Sequence, residues 1–232
     1  MVDTKQLKLQ TLEKAVAQIE DGMTLGIGTG STIELLVPEI AKLIHDKGYH
    51  LKGVCTSERT EYQAKSLNIP VVHINDVLHI DLAIDGADEI DPHLNLIKGG
   101  GGALFREKVI DEFAERFVVL ADETKLVDYL GQTFKLPVEV DRFNWYQVAR
   151  KVEARFNTTV ERRMVEDTPL ITDNGNYILD CPFNEKVDPY EAHEFLIHLT
   201  GVLETGYFLD IADHAIVGTQ AGVKTFDKIN RD

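Results

Sequence analysis

The stretch Met23–Thr32, MTLGIGTGST, decides the fold prediction, because an apolar run passes through glycines into a helical pattern. Met23–Ile27 is typical of a buried strand, and Thr32–His45 has the apolar spacing of a helix. A strand followed by a glycine-rich turn and a helix is the repeating unit of parallel sheets that carry helices on both faces. Such sheets bind ligands at the carboxyl ends of their strands. The stretch therefore predicts an α/β fold with a ligand site beside these glycines.

The alternation of strands and helices continues on both sides of this stretch, from the N-terminus to about Leu130. Apolar spacing predicts helices over Leu7–Ile19, Glu58–Leu67 and Ala103–Ala114. This half of the chain therefore predicts one parallel sheet covered by helices. Its remaining strands are predicted at Leu51–Cys55, Val71–Ile74, Ile80–Ile84 and Arg116–Ala121.

The second half changes character and follows the order β-α-β-β-α-β, which is an α+β pattern. The segment Asp173–Asn176, DNGN, predicts a hairpin within it, and two later strands, Ile211–Thr219 and Gly222–Phe226, are expected to rejoin the first sheet. We therefore expect an α/β domain of residues 1–130 plus 207–232, with a smaller α+β domain of residues 131–206 inserted near its end. The inserted elements are predicted as strands Phe134–Val140, Thr158–Met164, Tyr177–Cys181 and Gly201–Thr205 and helices Phe143–Phe156 and Pro189–Leu199.

The charge balance limits the classes of partner that the chain can bind. Its 232 residues include 24 basic and 39 acidic side chains, for a formal net charge of -15 at pH 7. Such a surface repels phosphate backbones and anionic lipid, so we expect no nucleic-acid or membrane partner, and an anionic substrate would need a locally basic pocket. No apolar run approaches the roughly 20 residues of a membrane span. The N-terminus has no leader pattern, and the two cysteines have no zinc or redox spacing, so we expect a soluble protein of the cytoplasm.

The first glycine motif, Gly26–Thr32, favours a phosphate site over a dinucleotide site. Its glycines permit a tight turn, and the N–H groups that open the next helix favour an anion. Ser31 and Thr32 add hydroxyl donors. The spacing G-x-G-x-G departs from the dinucleotide fingerprint, and the second strand ends at Cys55 without the acid that would bind a ribose hydroxyl. A turn in which the glycines serve only packing is the alternative.

The acidic segment Asp85–Asp91, DGADEID, leaves three interpretations open. Its four carboxylates repel one another unless they are solvated, bind a cation or share protons. Magnesium bound by Asp85 and Asp88 is one interpretation, although the position of the glycine excludes a calcium loop. An exposed acidic turn is the second. The third is a pair of carboxylates that handles sugar hydroxyls and their protons.

The loop that begins at Lys98, KGGGGAL, predicts an anion site at the start of a helix. Four consecutive glycines are costly in chain entropy, which argues against a purely structural role, and a lysine with successive backbone donors suits a developing oxyanion. On the helical wheel Glu107 lies at the edge of the apolar stripe, where an apolar flank raises a carboxyl pKa toward the range of a general base. The alternative is a border residue paired with Lys108 or Arg106.

Taken in order, these motifs resemble type A ribose-5-phosphate isomerase. The resemblance implies a Rossmann-like α/β domain with a ferredoxin-like lid, a homo-oligomer (dimer or tetramer), and a site that uses no metal or other cofactor. It implies the interconversion of ribose 5-phosphate and ribulose 5-phosphate through an enediolate, in the pentose phosphate pathway. The segments that carry it are Gly28–Thr32, Asp85–Glu89, Lys98–Gly101, Arg106–Lys108, Lys125, Leu136–Val140, Thr172–Asn176 and Gly218–Thr219.

The resemblance also implies a role for each site residue. Glu107 would shuttle a proton between C2 and C1, while Asp85 and Asp88 would serve ring opening and proton transfer between oxygens. Lys98 and the amides that follow it would hold the enediolate. The substrate-binding residues that it implies are Thr29, Gly30, Ser31, Thr32, Asp85, Gly86, Ala87, Asp88, Lys98, Gly99, Gly100, Gly101 and Lys125, with Lys8 as a further phosphate contact.

Two other functions stay open at the level of sequence. A non-catalytic sugar-phosphate sensor would use the same phosphate loop, but it would not need Glu107 beside Lys98, and the chain has no appended helix-turn-helix pattern. A nucleotide-dependent oxidoreductase is suggested by the glycines alone.

Overall fold

The structure is a computed structural model that describes residues 4–183 and 185–228; residues 1–3 and 229–232 of the predicted α/β domain lie outside the described residues. The helices are α1 (Thr4–Val16), α2 (Ile33–Lys47), α3 (Glu58–Ser66), α4 (Leu104–Phe113), α5 (Trp145–Phe156) and α6 (Pro189–Ile197). The strands are β1 (Thr24–Ile27), β2 (Lys52–Cys55), β3 (Leu82–Gly86), β4 (Glu89–Ile90), β5 (Leu96–Ile97), β6 (Phe117–Asp122), β7 (Leu136–Val140), β8 (Glu161–Arg162), β9 (Met164–Val165), β10 (Thr168–Pro169), β11 (Tyr177–Cys181), β12 (Val202–Thr205), β13 (Tyr207–Phe208), β14 (His214–Thr219) and β15 (Gly222–Asp227).

A six-stranded sheet in the order β15-β14-β6-β3-β1-β2 forms the centre of the larger unit. Five of its strands run parallel, and β15 pairs antiparallel with β14 at one edge. The α/β prediction is confirmed, and the last two strands rejoin the first sheet as expected. The chain leaves β1 toward β2 on one side and leaves β3 toward β6 on the other, which creates a crevice at the carboxyl edge between β1 and β3. Ile27 lies opposite Ile84, so Gly28 and Asp85 are neighbours at that edge.

Helix α4 packs closely on this sheet because small residues lie beneath it. A Cβ on Gly26 would lie 2.8 Å from Ile110 Cγ2 and 2.9 Å from Ala83 Cβ, closer than packed carbon atoms approach. Ile110 and Ala83 are both buried. The glycine at position 26 therefore sets the height of α4, the helix that carries Glu107, above β1 and β3.

The smaller unit is a four-stranded antiparallel sheet in the order β12-β7-β11-β8, with α5 and α6 in the connections. This is the ferredoxin-like arrangement of a β-α-β-β-α-β unit. Its buried core includes Val138, Val148 and Leu196. A three-stranded sheet of β13, β5 and β4, which was not predicted, joins the two units, because β4 and β5 follow β3 whereas β13 follows β12. Within the described part of the chain, no helix has the length and apolarity needed to cross a membrane.

Three predicted strand features are wrong. Thr158–Met164 is not one strand, because Arg163 interrupts it between β8 and β9, which belong to different sheets, and turns its side chain onto Asp180. Asp173–Asn176 forms a turn but not a hairpin, since β10 before it pairs with β9 rather than with β11. Val71–Ile74 contributes one isolated bridge to β2 and then enters a 3-10 turn.

One buried carboxylate, Glu139 of β7, holds the turn at residues 172–176. Its Oε1 accepts hydrogen bonds from Thr172 Oγ1 (2.8 Å), Asn174 Nδ2 (3.1 Å) and Asn176 Nδ2 (3.0 Å). Glu139 and Thr172 are both buried, so solvent cannot replace their hydrogen bond. The turn also carries Asp173, whose carboxylate accepts the first backbone N–H of α3, so Glu139 indirectly links the two units.

We expect Glu139→Ala to lower the free energy of unfolding by about 2–3 kcal/mol, because it removes an acceptor shared by three side chains and leaves the buried Thr172 hydroxyl hydrogen without a partner. Urea denaturation of the purified protein measures this change. Glu161→Ala is the control, since Glu161 is 62% exposed and forms an ion pair with the exposed Lys135, and such a pair contributes about 0–1 kcal/mol. Equal losses in the two variants would contradict the role of Glu139.

Candidate active site

A cavity of about 120 Å³ opens at the carboxyl edge of the six-stranded sheet. The predicted residues that line it are Thr29, Gly30, Ser31, Thr32, Gly86, Ala87, Asp88, Lys98, Gly99, Gly100, Gly101, Glu107 and Lys125, together with Lys8. Asp85 does not line the cavity: it is fully buried and contacts the lining residues Lys98, Thr29 and Gly86 from behind. The structure therefore gathers the predicted site residues around one cavity, with Asp85 behind its wall.

Lys98 is the buried centre of this site. Its Nζ lies 2.7 Å from Asp85 Oδ2 and donates a hydrogen bond to Gly86 O at 2.6 Å. The same ammonium lies 3.7 Å from Glu107 Oε2 and 3.9 Å from Asp111 Oδ2. The side chains of Lys98 and the three acids are at most 5% exposed. Three carboxyls thus surround one cation away from bulk water.

Burial and, after it, the neighbouring charges shift the pKa of each group. Burial raises the pKa of Glu107 to about 8, against the opposing effect of Lys98. Burial likewise raises the pKa of Asp111 well above its usual range, and it raises the pKa of Asp85 in spite of Lys98. Burial lowers the pKa of Lys98, but the three carboxyls outweigh it and the net change is upward. The ammonium therefore stays charged, while burial favours the protonated forms of the carboxyls.

Helix α4 presents Glu107 and Asp111 on one face. The helix begins at Leu104, directly after the glycine-rich loop, so Glu107 falls in its first turn and is buried, as the helical wheel indicated. Asp111 follows four residues later, the spacing at which side chains of a helix are neighbours. Asp111 was not among the predicted site residues, although its spacing from Glu107 is the signal that marks it.

The alternative pairing of Glu107 with its neighbours on the helix is wrong. Lys108 Nζ lies 2.7 Å from Glu204 Oε1 on β12, on the side of α4 that faces the smaller unit. Arg106 is partly exposed, and its Nε donates to Asn174 Oδ1 at 3.0 Å. Both basic side chains therefore bind the smaller unit rather than Glu107. The basic partner of Glu107 is Lys98.

The glycine-rich loop is shaped by contacts on two sides. Gly99 and Gly102 have φ values of +102° and +82°, a region that glycine adopts without strain. Gly100 N–H donates to Asp88 Oδ2 at 2.7 Å. Arg163 Nη1 donates to the carbonyls of Gly99 (2.6 Å) and Gly100 (2.9 Å). The sequence analysis missed Arg163, because it lies 64 positions from Gly99 and no local pattern marks it.

The turn after β1 approaches Asp85 so closely that only glycine fits at position 28, where a Cβ would overlap the carboxyl group. Thr29 N–H donates to Asp85 Oδ1 at 3.0 Å. Thr29 Oγ1 lies 2.6 Å from Thr56 Oγ1 and 2.7 Å from Ser57 Oγ, hydroxyls that follow β2. The polar groups of Thr29 are thus bonded to protein, and they fix the turn at the crevice.

Basic side chains collect at the end of the cavity beside this turn. Lys8 Nζ of α1 donates to Ser31 Oγ at 2.8 Å, and Lys125, in the 3-10 turn after β6, lines the same cavity. Ser31 and Thr32 lie at the start of α2, whose first N–H groups carry partial positive charge. In a chain with a net charge of -15, this end is the locally basic region that an anionic substrate requires.

The acidic segment is not an exposed turn, because Asp85 and Glu89 are fully buried. Glu89 accepts hydrogen bonds from the backbone N–H groups of Gly131, Thr133 and Phe134, so it anchors the chain before β7. Both oxygens of Asp85 have protein partners, which leaves no open pair for magnesium. Over residues 4–183 and 185–228, no group of three or more His, Cys, Asp or Glu side chains could hold a metal ion.

Comparisons with known proteins agree with the resemblance found in the sequence. Residues 52–222 match the family described as ribose 5-phosphate isomerase A (phosphoriboisomerase A). The chain is 68% identical over 228 residues to ribose-5-phosphate isomerase A of Staphylococcus epidermidis, covering 98% of this chain and 99% of the relative. It is 66% identical over 230 residues to the Staphylococcus haemolyticus protein of that name, covering 99% of this chain and 100% of the relative.

Solved structures show the same fold. A D-ribose-5-phosphate isomerase in complex with phospho-erythronic acid superposes with a TM-score of 0.93 at 41% identity, covering 97% of this chain and 100% of that chain. The ribose 5-phosphate isomerase A of Methanocaldococcus jannaschii superposes with a TM-score of 0.92 at 38% identity, with the same coverage. The family match and these identities over almost the whole length place the chain in the ribose 5-phosphate isomerase A family.

Proposed function

We propose that this chain interconverts D-ribose 5-phosphate and D-ribulose 5-phosphate. The observation that carries the proposal is the buried pair of Glu107 and Lys98 on one cavity, 3.7 Å apart, beside a loop of glycine N–H groups. The reaction moves one proton between two carbon atoms and needs stabilisation of the oxygen that gains negative charge. A carboxylate beside a cation and backbone donors supplies both. Family membership supports this function over a sensor or a nucleotide-dependent oxidoreductase.

Glu107 acts as the base. In its ionised form it takes the proton from C2 of the open-chain aldose, and as the resulting acid it returns that proton to C1 of the enediolate. A pKa near 8 suits both steps, because the group gives and takes a proton near neutral pH. Its position in the first turn of α4, on a helix tightly packed against the sheet, limits its movement.

Lys98 and the amides of the glycine-rich loop hold the enediolate oxygens. The ammonium is charged throughout, because its carboxyl neighbours outweigh burial. We assign Asp85 a positioning role, since it is fully buried and bonded to Lys98 Nζ. Asp88 lines the cavity and accepts from Gly100 N–H, so it is the carboxylate available for ring opening and for proton transfer between oxygens.

The phosphate group occupies the basic end of the cavity. Gly30, Ser31 and Thr32 offer backbone and hydroxyl donors there, while Lys8 and Lys125 supply the charge. Thr29 supports this turn through its bonds to Asp85 and to the hydroxyls after β2. Binding energy from the phosphate orients the sugar carbons against Glu107 and lowers the barrier at the reacting centre.

We also propose that the chain divides into an α/β domain of residues 1–130 plus 207–232 and an α+β domain of residues 131–206. The membership of β14 and β15 in the six-stranded sheet supports this division. We further propose that the chain forms a homo-oligomer, lies in the cytoplasm and catalyses the reaction without metal. Membership of a sugar-phosphate isomerase family supports these three points.

We expect Glu107→Gln to lower kcat by about 10²–10⁴-fold, because a neutral amide cannot accept the proton from C2. KM and the unfolding midpoint change little, since glutamine has the same shape. Ketopentose formation from ribose 5-phosphate in the presence of a chelator measures the loss. Glu112→Gln, on the exposed side of the same helix, is the control. Full activity of Glu107→Gln would remove it as the base, and wild-type enzyme inactivated by the chelator would reject a metal-free site.

We expect kcat/KM to rise with pH and to level off above about 8, because only the ionised Glu107 accepts a proton and burial raises its pKa to about 8. The charge of Asp88 contributes to the raised pKa of Glu107. We therefore expect Asp88→Asn to lower that pKa and to move the rising limb of the kcat/KM profile to lower pH. Initial rates between pH 5.5 and 9.5 at constant ionic strength test both points, with the ionisation of the substrate phosphate near pH 6 fitted separately. If kcat/KM does not rise above pH 7, the assignment of Glu107 as the base is contradicted.

A further inference from the structure

Arg163 connects the smaller unit to the glycine-rich loop of the site. It lies between β8 and β9, and its side chain is only 12% exposed. Nη1 donates to Gly99 O at 2.6 Å and to Gly100 O at 2.9 Å. The other edge of the guanidinium faces Asp180 of β11: Nε donates to Oδ2 at 3.0 Å, and Nη2 donates to Oδ1 at 2.5 Å. Arg163 therefore makes four hydrogen bonds in a fixed fork, two of them to the loop.

These contacts decide which way the loop peptides face. A trans peptide directs its carbonyl and its N–H to opposite sides. With the Gly99 carbonyl on Arg163, the N–H of Gly100 points the other way, where it meets Asp88 Oδ2 at 2.7 Å. With the Gly100 carbonyl on Arg163, the N–H of Gly101 also points away from Arg163, and Gly101 lines the cavity.

The loop needs such an external restraint because its own residues supply one backbone hydrogen bond, from Gly102 N–H to Gly99 O at 3.0 Å, which does not hold the Gly100 carbonyl. Successive glycines populate many backbone conformations, and only a subset of these directs two neighbouring N–H groups to one side. A donor that is misplaced by about 1 Å costs on the order of 10²-fold in rate. The fork of Arg163 holds both carbonyls at once, and Asp180 holds the fork.

We propose that Arg163 is a positioning residue for the isomerisation: it fixes the peptides of Gly99–Gly101 so that the N–H of Gly100 stays on Asp88 and the N–H of Gly101 faces the oxygen that gains charge. This inference rests on the proposed function. Arg163 does not line the cavity, so it acts through the loop and does not touch the substrate. It also gives the smaller unit a direct part in the chemistry.

The test compares Arg163→Lys with Arg162→Lys. Lysine keeps the charge but cannot reproduce a planar fork. Arg162, the neighbouring residue on β8, stacks over the rings of Trp145 (4.4 Å) and Tyr177 (5.0 Å) and serves as the matched control. We expect Arg163→Lys to lower kcat and kcat/KM together by about 10–10²-fold and Arg162→Lys to change both less than twofold. Arg163→Ala should regain part of its kcat when guanidinium ion is added.

Inhibition separates positioning from a general weakening of the structure. Phospho-erythronic acid presents a carboxylate where the reacting oxygens would lie, whereas inorganic phosphate reports only on the basic end of the cavity. We expect Arg163→Lys to raise the inhibition constant of phospho-erythronic acid by about the factor lost in kcat/KM. The inhibition constant of inorganic phosphate should change less than twofold. Asp180→Asn, which keeps Arg163 but loosens its fork, should give a smaller shift in the same direction.

Three outcomes would overturn the inference: Arg163→Lys as active as Arg162→Lys, equal weakening of both inhibitors, or Asp180→Asn without effect on either. Failure of the proposed function is a different result, namely a wild-type enzyme that does not turn over ribose 5-phosphate. In that case calorimetric titration of phospho-erythronic acid into wild type and Arg163→Lys still decides whether Arg163 orders the loop. Equal affinities there would count against it.

Discussion

The buried ion pair between Lys98 and Asp85 is the interaction on which the rest of the site depends. Each charge would be costly to bury alone, and a pair is tolerated only when its geometry is good and its remaining polar atoms are bonded. Here the two atoms are 2.7 Å apart, the ammonium also bonds Gly86 O, and Asp85 Oδ1 accepts two backbone N–H groups. The glycine at position 28 follows from this pair, because any side chain there would overlap the Asp85 carboxyl.

The two further carboxyls of the cluster belong to Glu107 and Asp111. They give the cluster a group that exchanges a proton near neutral pH, and they add unfavourable buried charge. The folded-state pKa of Glu107, about 8, is above its ordinary value of 4.5, so the folded protein holds this proton more tightly than the unfolded chain does. The resulting stabilisation is fully present below pH 4.5 and is lost as the pH rises toward 8. The ionised Glu107 that the proposed mechanism requires is therefore the form that the fold favours less. Contacts elsewhere, such as Lys108 with Glu204, offset this by fastening α4 to the smaller unit.

Local patterns predicted the parts of this molecule that depend on near neighbours along the chain. The glycines after β1 and after Lys98, the strand before Asp85 and the helical face of Glu107 all follow from spacing within about ten residues. Arg163 and Glu139 depend on partners more than 30 positions away, which periodicity does not reveal. The false strand at Thr158–Met164 has the same origin: its β-branched residues favour a strand locally, but the long-range contacts of Arg163 interrupt it.

The glycine-rich loop shows how both units constrain one short segment. Gly99 and Gly102 require positive φ, and a Cβ on Gly100 would lie 2.7 Å from Asp88 Oδ1. Gly101 differs, because a Cβ there would meet nothing closer than Thr29 Cγ2 at 3.8 Å. Space and backbone angle therefore explain three of the four glycines. The proposed function accounts for the fourth: Gly101 would bring its N–H to the substrate, and a side chain at that point would occupy the cavity that Gly101 lines.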